Sequence, residues 1–189
     1  LTYAGDIKLD VVNMSFYTDP WLYNCPSRDD YISGDVSDEE LAEQAFTLKT
    51  ITAALEYAHR KGVTLVAAAG NEHTDLAALT RADATSPDYP LDTARERVVS
   101  KDCLDMPAEG PHVISVGSVG PSGTKADYSN YGQGEIDLAA PGGWFRDFIG
   151  TPAFRTPANE ILSSYPLAAA IEQGLADADG VPVDDFSLV

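Results

Sequence analysis

Gly62-Val63-Thr64-Leu65-Val66-Ala67-Ala68-Ala69-Gly70-Asn71 is the stretch on which the fold turns. It is almost continuously apolar from Val63 to Ala69, as expected for a parallel strand covered on both faces. Upstream, Ser37 is a natural N-cap and Glu40, three places on, completes a capping box. Leu41, Ala45, Leu48, Ala54, Leu55 and Ala58 then recur at helical spacing, with Phe46 and Ile51 broadening the stripe. Arg60-Lys61 followed by Gly62 is a helix stop that also suits the dipole. Before the helix, Asp10-Val11-Val12-Asn13-Met14-Ser15-Phe16 reads as another strand. Strand, long helix and strand joined by a tight turn make a right-handed parallel crossover, so the fold class is α/β. Residues 112–119 and 136–140 supply two further strands. The segments at about 17–36, 72–111 and 144–189 have little periodicity and are expected to be long loop insertions on a single domain.

The bulk composition fits that frame. The chain has 189 residues, 44% hydrophobic and 22% charged, enough for one domain with a sizeable core. Its 30 acidic and 12 basic residues give a formal charge of −18, which repels phosphate backbones and argues against nucleic acid as a partner. That charge suits a secreted or a salt-adapted protein. No stretch approaches ~20 apolar residues, so no membrane span is expected. Leu1-Thr2-Tyr3 has neither a basic start nor an apolar signal core. Cys25 and Cys103 lie in polar sequence where bare thiols would be exposed. An even count there favours one disulfide in an oxidising compartment over two free thiols in a reducing one.

Ligands of doubly wound sheets sit beyond the carboxyl ends of the strands. Ser15-Phe16-Tyr17, Gly70-Asn71-Glu72 and Pro141-Gly142-Gly143 fall there. The Asn71 amide is placed to donate to a developing negative charge, although an ordinary turn asparagine is the plainer local reading. A series of motifs decides the matter. Val11-Val12-Asn13-Met14-Ser15 is followed by Gly62–Asn71, then by Val113-Ile114-Ser115-Val116-Gly117. Ala126-Asp127-Tyr128-Ser129-Asn130-Tyr131-Gly132 and Ile136-Asp137-Leu138-Ala139-Ala140-Pro141-Gly142-Gly143 complete it. Each piece is common alone, but in this order they resemble the central part of a subtilisin-like serine peptidase, or subtilase. The insertions resemble those of larger secreted bacterial members.

The resemblance implies a partial doubly wound parallel sheet and secretion. It also implies that Asn71 supplies a side-chain donor to the oxyanion hole. The strand bearing Ser15 then resembles the wall that pairs with substrate backbone, while Ala68, Ala69 and Gly70 resemble the back of the primary specificity pocket. Phe16 and Tyr17 depart from the pattern, which has a small or aliphatic residue and then glycine. A tyrosine there crowds the substrate-pairing edge unless its loop is displaced.

The family works through an Asp-His-Ser triad in that order. No "HGTH"-like run and no "GTSMA" run occurs, so the strands and helices that carry the catalytic Asp, His and Ser are missing. His59 reads as a solvent-facing helix residue, His73 as a loop histidine, and His112 as structural. Ser163-Ser164 precede Tyr165-Pro166, which is no nucleophile context. General-base catalysis needs a base and a nucleophile within ~3 Å, so this stretch alone is expected to be inactive. The resemblance requires no cofactor. It leaves calcium open, because subtilases often bind it in loops, with Asp83, Asp88 and Asp92 as loose candidates that no motif fixes. Asp177-Ala178-Asp179-Gly180 begins like a calcium loop but lacks the later glutamate and reads as an acidic turn.

Two functional classes follow. One is a segment of a serine endopeptidase, contributing oxyanion hole and substrate cleft, with polypeptide substrate and the remainder of the catalytic domain as partners. The other is a non-catalytic module that binds peptides by strand addition. In either case the strand at 10–16 is expected to lack its sheet neighbour, leaving an edge prone to self-association.

Overall fold

The computed structural model describes residues 1–86, 92 and 94–183. The chain forms two compact units, one of residues 1–117 and 128–139, the other of 118–127 and 140–189.

The first unit holds the crossover. Strand β1 (Val11–Met14) leads, after an insertion, into helix α2 (Asp38–Arg60) and then strand β3 (Thr64–Ala68). β1 and β3 are parallel, with Val12 beside Leu65 and Met14 beside Ala67. β6 (Val113–Val119) runs parallel to β3 on its other side, and β7 (Leu138–Pro141) follows, giving the order β1-β3-β6-β7. A five-residue helix α1 (Thr2–Asp6) precedes β1. β1 therefore occupies the sheet edge, with Val11 57% exposed.

Two readings of α2 and β3 are corrected. Only half of the capping box closes: Ser37 Oγ accepts from Glu40 N at 3.1 Å, but the Glu40 carboxylate faces Trp21 Nε1 at 3.0 Å and Arg95 at 3.1 Å. The inward stripe runs through Gln44, Leu48, Ile51, Leu55 and Ala58, while Phe46 stands 70% exposed. β3 is covered on one face only. Leu65 and Ala67 are buried with Met14, Leu55, Ala58 and Val63, whereas Ala68 is exposed and Val66 half-buried. The reason is that α2 crosses the Leu65 face, and nothing described in this unit packs fully over the other. Burying Leu55 and Leu65 contributes about 1.5–3 kcal/mol each.

The stretches 17–36 and 72–111 contain more than loops. They contribute β2 (Tyr31–Ser33), β4 (Thr80–Ala84) and β5 (Glu96–Ser100), an antiparallel sheet of order β2-β5-β4. Its alternation was hidden because the inward positions of β4 and β5 are charged except for Val99. Arg81, Asp83 and Arg97 are all buried. Arg97 Nε donates to Asp83 at 2.7 Å and its Nη2 to the Tyr23 carbonyl at 2.7 Å, with the guanidinium 3.8 Å over the Trp21 ring. Gln44 Oε1 accepts from Cys25 N at 3.1 Å and from Arg97, which ties this sheet to α2. Pairing Arg97 with Asp83 offsets the cost of burying both charges, while Arg97 Nη1 and Gln44 Nε2 are buried without a hydrogen bond among the described residues.

Cys25 and Cys103 form a disulfide. Both are completely buried, not exposed, in a cluster with Tyr23, Leu76 and Val99. The second unit includes α3 (Leu167–Glu172) and a turn in which Asp177 Oδ1 accepts from Asp179 N and Val181 N at 2.9 Å each. This accounts for the acidic Asp177–Gly180 run as a turn.

Candidate functional site

The carboxyl ends of β1 and β3 open into a cleft of about 360 Å³. Its lining brings together Ser15, Phe16 and Tyr17 from the end of β1 with Ala68, Gly70 and Asn71 from the end of β3. Ala69 is buried behind the cleft and does not line it.

The geometry of the 70–74 turn is set by two residues. Gly70 has φ +97°, and an added Cβ would lie 2.3 Å from Asn130 Nδ2, so no larger residue fits. Asn130 is buried and fastens the turn from below. Its Oδ1 accepts from Glu72 N at 3.1 Å and Thr74 N at 2.9 Å, and its Nδ2 donates to Glu72 Oε2 at 3.0 Å. Glu72 Oε2 in turn accepts from Asn71 N at 2.8 Å. Both ends of Asn71 are thereby fixed while its side-chain amide engages no described residue and remains exposed at the cleft.

The departure at Phe16 and Tyr17 resolves in detail. The Tyr17 hydroxyl donates to Ser86 Oγ at 2.7 Å, which draws the ring toward the insertion. Phe16 is 61% exposed. Ser15 Oγ accepts from Asn13 Nδ2 at 3.0 Å.

Three lining residues escaped the sequence reading, Asp19, Leu22 and Asp105, while Glu72 was placed at the strand end without a role. Because the polar run Lys101-Asp102-Cys103-Leu104-Asp105 reads as surface sequence, Asp105 had no decisive local signal. It is 6% exposed, and burial together with the charges of Glu109 and Glu72 raises its pKa well above the ordinary carboxylate range. Asp19 and Leu22 had no local signal, being brought in by the insertion.

The histidines lie elsewhere. His59 is exposed but stacks on His112 with centroids 3.8 Å apart, and His112 Nε2 is 3.8 Å from Glu56. His73 tilts against Tyr131 at 5.5 Å. Asp83 is committed to Arg97, and Asp88 lies outside the described residues. Among the described residues no group of three ligating side chains converges on a metal position.

The model of the subtilase family matches residues 1–171. Among solved structures, a lanthipeptide protease shares 24% identity over 92% of this chain and 42% of its own, with a TM-score of 0.58. The nisin leader peptidase NisP from Lactococcus lactis shares 23% over 90% of this chain and 39% of its own, with a TM-score of 0.47. The epidermin leader peptide processing serine protease EpiP from Staphylococcus aureus shares 24% over 76% and 30%, with a TM-score of 0.48. The chain thus spans 30–42% of the length of these structures. No curated protein matches it.

Proposed function

This chain belongs to the subtilase family, and on that premise we propose that it forms the oxyanion donor and substrate cleft of a secreted serine endopeptidase that cleaves peptide bonds through an acyl-enzyme. The observation that carries the reading is the cleft itself. It joins the end of β1 to the end of β3 and presents the Asn71 amide, which engages no described residue, on a turn whose backbone is held by Asn130 and Glu72. A donor held in place before charge develops stabilises an oxyanion without reorganising, which is what electrostatic catalysis requires. Ser15, Phe16 and Tyr17 form the substrate-pairing side, and Ala68 and Gly70, backed by Ala69, form the pocket side.

In the parent protein, Asn71→Ala lowers kcat by about 10²–10³-fold with little change in KM, a magnitude established on subtilisin and carried over to this site. Steady-state kinetics on a peptide substrate measures it. A kcat within twofold of the unaltered protein would remove Asn71 from the mechanism.

The open edge at β1 favours a second reading, a module that binds an extended peptide by strand addition. Upstream Asp and His motifs with a downstream "GTSMA" in the flanking gene sequence separate the two. The isolated chain is expected to be inert to serine-directed phosphonylating agents and to self-associate through β1. Intact mass shows the first and concentration-dependent light scattering the second. Stoichiometric labelling would mean the active site lies elsewhere, and a strict monomer would mean the edge is tolerated.

A further inference from the structure

Among the described residues the cleft is lined by three carboxylates, Asp19, Glu72 and Asp105, and by no basic side chain. They are not equivalent. Glu72 is spent on the turn, where its Oε2 accepts from Asn71 N and Asn130 Nδ2. Asp19 is exposed at the mouth. Asp105 is the deep one: it is buried, it lines the cleft, and its carboxyl accepts no hydrogen bond among the described residues.

The nearby guanidinium does not serve it. Arg81 is taken by Glu109 in a two-pronged pair at 2.6 and 2.8 Å and also donates to the Cys103 carbonyl at 3.0 Å. Glu109 Oε2 accepts from the Asp105 backbone N–H at 2.7 Å, which fixes the residue's position while leaving its carboxyl free. A buried carboxyl with no partner is disfavoured, and a cation entering the cleft relieves it. A bare metal ion is a poor occupant, since no three ligating side chains converge among the described residues. The small and apolar walls of Leu22, Ala68 and Gly70 suit a methylene stem instead, as long basic side chains bury their stems and present their charge at the tip.

We propose that the cleft is selective for a lysine or arginine side chain of a polypeptide substrate, with the stem against Leu22 and Ala68 and the charge paired to Asp105. This deepens the peptidase reading and rests on it for the word substrate. The formal charge of −18 adds attraction for a basic peptide at low salt. A site built around a buried carboxyl favours a cation over an uncharged isostere, because the isostere leaves that carboxyl without a partner.

The test uses the parent protein and matched peptides that differ only in the residue before the scissile bond: Arg, Lys, Met or Glu. The expected result is a kcat/KM for Arg or Lys at least about 100-fold above Met, with Glu poorest. Asp105→Asn collapses the Arg/Met ratio toward unity, and Asp105→Leu inverts it. Asp19→Asn reduces it only modestly, as an exposed charge should. Agmatine, a guanidinium on an alkyl stem, binds the unaltered chain in calorimetry and competes with the Arg substrate, which decides the matter should the Asp105 variants fail to fold. Cleavage with Met or Glu preferred, or an unaltered Arg/Met ratio in Asp105→Asn, overturns this inference and leaves the peptidase reading standing. Agmatine binding without cleavage of any peptide overturns the peptidase reading and supports the cationic cleft. Neither binding nor cleavage overturns both.

Discussion

Arg81→Ala destabilises the chain by about 3–5 kcal/mol, because it leaves the Glu109 carboxylate buried without its cation. The Arg81 and Glu109 side chains are 1% and 5% exposed. Besides binding the carboxylate, the guanidinium donates to the carbonyls of Cys103 and Leu76 and lies 5.0 Å over the Tyr23 ring. Burial alone would lower the Arg81 pKa, but the hydrogen-bonded charge of Glu109 outweighs it and holds the group above its usual value. Glu109→Ala costs a similar amount for the converse reason. The pair also organises the 103–109 segment, since Glu109 holds the Asp105 N–H. Combining Arg81→Met with Glu109→Leu therefore costs less than the two alanine changes summed, though more than nothing, as three backbone groups lose partners. Urea unfolding measures all of these as midpoint shifts at an unchanged slope. Additive costs would show that the pair is not coupled.

The parts of the molecule legible in its sequence are those governed by local rules. The helix was visible because Ser37 caps it and Gly62 stops it, and both ends stand within two residues of the predicted places. The crossover strands were visible because their apolar runs end in polar turns, and those turns hold the cleft residues Ser15 and Asn71. The inward positions of the second sheet were not legible, because Arg81, Asp83 and Arg97 read as surface residues until their partners are known. The same applies to Gln44, whose inward place depends on Arg97 and Cys25 rather than on its own polarity. Phe46 misled in the opposite direction: its apolar side chain sits off the stripe that faces the sheet. Asp105 was the most informative omission. Its role depends on an insertion folding back to bring Asp19 and Leu22 beside it, and no local pattern encodes that.

Removing the disulfide with Cys25→Ser and Cys103→Ser lowers stability by about 4 kcal/mol in the chain-entropy account, since the bridge closes a sequence separation of 78 residues. The loop it closes contains α2, β3, β4 and β5, so the unfolded chain gains most of its freedom when the bridge is lost. The denaturant slope is accordingly expected to rise as the unfolded state expands. The effect reaches the cleft through the neighbouring backbone. Asn24 and Leu104 exchange N–H···O bonds of 2.9 Å beside the bridge, and Asp105 follows immediately. Without the bridge, amide exchange at Asn24, Leu104 and Asp105 speeds up more than exchange at Leu55 in the core of α2, because the insertion is released while the crossover remains packed. Both sulfurs are fully buried, so a thiol reductant in native buffer acts only through openings of this region, and mild urea accelerates it. Reduction at the rate of an exposed disulfide, or a uniform rise in exchange across α2 and the insertion, would mean that the bridge is not the staple that holds Asp105 in the cleft.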